Sequence, residues 1–192
     1  MNAKDTLAFI DDIVNDFKKI QKVLLTEEPT TAQNISVHLT KIYILSCTSY
    51  YEQKLQDAYL SYAKKESDIY AERPHPFDNA KNEKSVYQKF SFGRIEDSKD
   101  TNDLPNIKNL LEPLKYFGEQ FRDKIFNEIN GNSEKEKQLK DFQEMFVIRN
   151  LIAHQTFIEF NHSNIRNKSF LDIEMMHKEA TKFVDYLAAQ FV

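Results

Sequence analysis

Three glycines in 192 residues leave this chain few places at which it can turn tightly. A sandwich or barrel of short strands needs Gly or Pro at turn after turn, and five prolines do not make up the shortage. Long stretches instead repeat apolar residues at spacings of three and four, the period of an amphipathic helix. Leu7, Ile10, Val14, Phe17, Ile20 and Leu24 do so over residues 4–25, and Glu27-Glu28-Pro29 closes the run. The chain reads as all-α.

A second helix starts at Thr30, with Gln33 completing a capping box, and runs to about residue 66. It carries two adjoining rows: Ile35, Leu39, Ile42, Leu45, Ser49, and Tyr43, Cys47, Tyr51, Leu55, Ala58, Tyr62. Length and aromatic content mark it as the central helix of a bundle. Residues 71–103, with Pro74, Pro76, Gly93 and many polar side chains, read as an irregular insert with a short helix over 84–93. Asp103 and Pro105 suit the start of another helix, kinked or split at Pro113 and continued through Phe121, Ile125 and Ile129 to Asn130-Gly131-Asn132. Ser133 and Glu136 spell a capping box that opens a helix with Leu139, Phe142, Phe146 and Ile152 on its buried side. Gln155 to Phe160 suits an extended piece or a last helical turn, and Asn161 to Ser169 a polar loop. Asp172 starts a final helix carrying Ile173, Met176, Ala180, Phe183, Leu187 and Phe191. The expected architecture is one domain over residues 1–192, a bundle of four main helices plus short extra ones.

Composition narrows the function classes. A single cysteine, Cys47, excludes an internal disulfide framework and a Cys-based zinc site, and suits a small buried side chain. His38, His75, His154 and His177 show no metal-ligand spacing, so neither metal nor cofactor is expected. No run of 18 apolar residues suggests a membrane span, and Met1-Asn2-Ala3-Lys4-Asp5 lacks a signal-peptide core. A cytoplasmic protein is expected, with the N-x-S sequons at Asn34, Asn161 and Asn167 unused. A net charge of -4 argues against a general DNA binder; transient contact with RNA through a local positive patch fits it better. No Gly-rich phosphate loop and no G-x-S-x-G occurs, which leaves nucleotide hydrolysis and serine hydrolase chemistry without support.

The run from Phe146 to His154 is apolar except for Arg149, Asn150 and His154. Burying an arginine or an unpaired amide is costly, so such residues need a reason. On a helix Asn150 and His154 share a face, while Arg149 lies about 140° from His154. Convergence is easier if the helix ends near Ala153, or if two copies meet on a two-fold axis and line one cleft with both sets. These residue types suit RNA cleavage by the neighbouring 2′-hydroxyl. A histidine can take the 2′ proton or protonate the leaving 5′ oxygen. Arginine offers a forked, permanent charge to the phosphorane. Asn150 can orient His154 or bind a phosphate oxygen, and no metal is needed. The bland alternative pairs Arg149 with a core carboxylate such as Glu52 and makes His154 structural. His162, Arg166 and Lys168 lie in a loop without acidic residues, suited either to RNA phosphates or to plain solvation. Lys81, Lys84, Lys89 and Arg94 form a second basic region, diluted by Asp78 and Glu83. The tyrosine row can stack bases or build core.

The spelling Arg149-Asn150-x-x-x-His154 resembles the signature of the HEPN superfamily. Tyr50-Tyr51-Glu52 in the long helix, the Lys89-Phe90-Ser91-Phe92-Gly93 segment and the motif's place three-quarters along the chain are similar to the RiboL-PSP-HEPN group. The resemblance implies a dimeric all-helical domain and a metal-independent endoribonuclease. It further implies a toxin of a toxin–antitoxin or antiphage system, with RNA as substrate, an antitoxin or regulatory protein as partner, and no membrane or DNA partner. It carries over Arg149, Asn150 and His154 as catalytic candidates and Glu52 as a supporting one. Many family motifs continue with Gly after the histidine; here Gln155 stands there. A non-catalytic HEPN-like module that binds a protein or RNA is the alternative.

Overall fold

The apolar rows become helices in the computed structural model, which describes residues 3–27, 29–69, 111, 118–154 and 168–191. Helix α1 spans Ala3–Glu27, α2 Pro29–Ile69, α3 Glu119–Ile129, α4 Ser133–His154 and α5 Phe170–Ala189. No strand occurs among the described residues. Four helices are long and α3 is short, so the all-α bundle reading holds. The insert at 71–103, the helix expected around Pro105 and Pro113 apart from Leu111, and residues 155–167 lie outside the described residues.

Several helix starts differ from the sequence reading by a residue or two. Helix α2 begins at Pro29, not Thr30. A first-turn proline gives up an N–H that would have no intrahelical partner anyway. Helix α4 is capped by Asn132 rather than Ser133: its Oδ1 accepts the Lys135 N–H at 3.1 Å. Glu136 reaches back to the Gly131 N–H at 2.8 Å. Gly131 has φ +91°, a conformation that favours glycine. Helix α5 begins at Phe170, not Asp172. Ser169 is its cap and Asp172 the third helical residue, each side chain bonding the other's backbone N–H, at 2.7 and 3.2 Å.

Helix α2 packs against α1, α4 and α5, and α4 packs against α5. Tyr43, Cys47, Tyr51 and Leu55 lie in the core, whereas Ile35, Leu39, Ile42, Leu45 and Ser49 are half-buried or exposed. Of the two adjoining rows, the tyrosine row is the one that α2 turns into the core. Ring contacts fix the alignment. Tyr43 meets Phe170 at 5.0 Å, Tyr51 meets His177 at 5.7 Å and Tyr59 meets Phe191 at 6.0 Å, so α2 and α5 run parallel. Phe142 lies 5.3 Å from Phe183, and the Lys135 ammonium 3.9 Å from the Tyr186 ring, so α4 runs antiparallel to both. Phe17 stacks on Phe170 at 3.8 Å, and Lys18 pairs with Glu174 at 3.8 Å, which ties α1 to the start of α5. At the other end Tyr186 donates to Glu128 at 2.8 Å and holds α3 to the bundle.

The residues expected on the inner faces of α4 and α5 are buried, from Leu139 to Ile152 and from Ile173 to Phe191. Over Phe142–Ile148 only Glu144 is not fully buried. A helix enclosed on nearly all sides belongs in a core, and α4 leaves that enclosure only at Arg149. No helix among the described residues is long and apolar enough to cross a membrane.

Candidate active site

Arg149 and Asn150 sit in the last turn and a half of α4, both half-buried, and His154 is the final residue of that helix. The enclosed stretch before them dictates this placement: Ile148 and Ile152 stay in the core, while the residues between reach the edge. Arg149 donates from Nη1 to Asn150 Oδ1 at 3.1 Å. This bond answers part of the splay expected from helix geometry. Asn150 stands only about 40° from His154 around the axis. Its amide oxygen draws the guanidinium of Arg149 round toward Asn150's own side of the helix.

Glu52 lies half-buried on α2, one residue after Tyr51, whose ring touches Phe142 and Phe146 of α4 at 5.6 and 6.3 Å. The alternative that Arg149 exists to pair with Glu52 does not describe this arrangement: among the described residues the hydrogen bond of Arg149 is to Asn150. Lys168 pairs with Glu144 at 3.2 Å. Its charge already has a carboxylate partner. Close by, burial raises the Asp141 carboxyl above its usual range, with Glu144 and Glu179 pushing the same way. His162 and Arg166, the other loop residues suggested for RNA contact, and the basic region of Lys81, Lys84, Lys89 and Arg94 lie outside the described residues.

The tyrosine row is core. Tyr43, Tyr51 and Tyr59 are buried, and Cys47 among them is a buried free thiol. His177 is also buried, its Nδ1 2.7 Å from the Tyr51 hydroxyl. Burial lowers its pKa to about 4, which makes it a neutral structural histidine at ordinary pH. Among the described residues no three His, Cys, Asp or Glu side chains gather closely enough to hold a metal ion. A groove lined in part by Leu111, Arg122, Asp123, Phe126 and Asn127 lies at the α3 end, far from the motif.

Antiparallel packing also says what shares the motif's level. Phe142 stands opposite Phe183, so Met175 of α5 falls level with Asn150, and Leu171 level with His154. Both side chains are exposed, Leu171 at 56% and Met175 at 59%.

No curated protein and no solved structure matched the chain. The family model described as RiboL-PSP-HEPN matches residues 5–192. That match spans nearly every residue from α1 to the end of α5, and the chain belongs to the RiboL-PSP-HEPN family.

Proposed function

We propose that this HEPN protein is a metal-independent endoribonuclease that acts as a toxin or antiphage effector. His154 is the acid–base group, Arg149 stabilises the phosphorane, and Asn150 orients the other two. The 2′-hydroxyl attacks the adjacent phosphorus, the 5′ oxygen leaves with a proton, and a 2′,3′-cyclic phosphate remains. The observation that carries this reading is the Arg149–Asn150 hydrogen bond at the half-buried end of the motif helix. It presents a cation and an amide together, four residues before a histidine, where substrate can approach. Such donors gain strength in a partly desolvated setting.

A composite site in a homodimer belongs to the same reading. Leu171 and Met175 support it, since they expose apolar surface at the motif's own level of the bundle. Cytoplasmic RNA is the substrate class, and an antitoxin or activator is the expected regulator.

The test is growth and RNA integrity in cells that express the wild type or His154→Ala. The expected result is growth arrest and RNA fragments with cyclic phosphate ends for the wild type alone. Equal toxicity of both proteins removes His154 from the mechanism. Absence of cleavage by purified wild type on any RNA, with RNA or a protein still bound, points to the non-catalytic module.

A further inference from the structure

Phe170 marks the level of the motif, since α5 begins there and α4 ends at His154 beside it. Its ring meets Phe17 of α1 at 3.8 Å and Tyr43 of α2 at 5.0 Å. Neither α1 nor α2 stops at that level. Helix α1 runs ten residues past Phe17 to Glu27, and α2 starts at Pro29, fourteen residues before Tyr43. These lengths are about 15 and 21 Å. The two helices pack on each other, so they form an antiparallel arm that extends past the ends of α4 and α5. Burial agrees: Phe17 and Thr40 are buried, and no described side chain between them is. Helices α1 and α4 both pack against α2, so at the motif's level their axes lie within about 20 Å of each other.

The arm differs in charge from the rest of the chain. From Phe17 to Tyr51 the acidic residues are Glu27 and Glu28 alone, at the tip. Lys18, Lys19 and Lys22 are all exposed on its α1 side. Lys22 stands one helical turn from both of the others, so the three share a face. The residues three and four away from Lys22 are Lys18, Lys19, Leu25 and Thr26, none of them acidic. Like charges at these spacings repel, a cost that an anionic ligand removes. Lys18 reaches Glu174 at 3.8 Å, but Lys178 holds that carboxylate at 3.1 Å. Lys19 pairs with Asp16 at 3.2 Å, with both side chains largely exposed. Such pairs contribute little and exchange for a phosphate at small cost. Every exposed side chain described from Lys18 to Leu39 is polar or charged. A protein partner would want an apolar anchor there, whereas a nucleic-acid backbone needs none.

We propose that the α1–α2 arm is a binding surface for the RNA strand, with Lys18, Lys19 and Lys22 on phosphates that flank the cleaved one. The choice of RNA rests on the ribonuclease reading; the surface itself rests on charge and placement. The chain as a whole, at -4, repels RNA, so the arm also sets the side from which a strand enters. A solvated face without a ligand is the rival.

Binding is measured by fluorescence anisotropy on the full chain, with a labelled oligouridine 2′-O-methylated so that it cannot be cut. The arm variant is Lys18→Gln with Lys19→Gln and Lys22→Gln. The comparison variant, Lys124→Gln with Lys137→Gln and Lys140→Gln, makes the same charge change at exposed lysines of α3 and α4. Lys140 is fourteen residues before His154, about 21 Å along α4. Both variants should keep the wild-type Tm. In the arm variant the slope of log affinity against log salt should become shallower by about 2, and affinity should fall about tenfold. The comparison variant should bind like the wild type, and so should a variant with arginine at the three arm positions. A wild type that does not bind this RNA, an arm variant with an unchanged slope, or an equal loss in the comparison variant overturns the arm. An arm variant that changes sedimentation mass but not RNA binding also overturns it, and assigns the surface to contact between copies. Arm-dependent binding by a wild type that cleaves no unmodified RNA keeps the arm and removes the ribonuclease reading.

Discussion

His177 and Tyr51 join α2 to α5 through a buried hydrogen bond of 2.7 Å, and burial disfavours the charged form of the histidine. Its pKa is lowered to about 4 from an ordinary 6.5. Between these values the unfolded chain binds a proton that the folded one refuses, so stability rises with pH. The contribution is complete above about pH 6.5 and is lost as the pH falls toward 4, a drop on the order of 3 kcal/mol. Urea denaturation from pH 4 to 7 should show this slope in the wild type, and His177→Leu should flatten it. An unchanged slope in the variant would assign the effect to other groups. Arg149→Ala should cost under about 1 kcal/mol by the same measurement, because the side chain is only half-buried and its partner is a neighbouring amide. A loss of several kcal/mol would favour a structural motif. At this scale the sequence was legible in part. Arg149, Asn150 and His154 stand out because charge and amide interrupt an apolar run. The Arg149–Asn150 bond was not legible, since adjacent helical residues point about 100° apart and only a long side chain can close the gap. The role of His177 was hidden too, because nothing local marks a histidine as buried.

Among the elements, caps and faces differ in how plainly they are written. Asn132 and Ser133 are both good caps, and the spelling cannot choose between them. The chain chose Asn132 once Gly131 had set the turn. The Ser-Phe-Leu-Asp spelling at residues 169–172 is a capping box in plain view, and it sets the helix start two residues before Asp172. Ser169→Ala should destabilise by about 1 kcal/mol, read from chemical denaturation. Phe142→Ala should cost about 3–5 kcal/mol, because that ring meets Tyr51, Phe146 and Phe183 at once. The face of α2 was the harder problem. Two apolar rows side by side leave the helix's rotation open. It was settled by the parallel α5, whose Phe170 and His177 meet only the tyrosine row.

For the whole molecule, Leu171 and Met175 make the proposed dimer testable. Leu171→Lys with Met175→Lys should leave the fold intact and halve the mass seen by sedimentation, and RNA cleavage should fall with it. A wild type that sediments as a monomer while cleaving RNA fully would exclude a composite site. Fold class was readable throughout, because few glycines and sustained helical periods leave little else. The path of the long connections was not readable, because their polar, proline-marked composition carries no period.

The 41 residues of α2 extend about 60 Å, roughly twice the length of α5 beside it. Tyr51, level with Phe142 and Phe146 of the antiparallel α4, lies about 27 Å before Ile69, the last residue of that rod, and His154 lies about 15 Å the other way. The chain therefore leaves α2 some 40 Å along the axis from the level of His154. That makes the far end of α2 a natural attachment point. A fluorophore or affinity handle placed there starts well clear of the motif end, so catalysis and assembly can be followed on the same tagged protein.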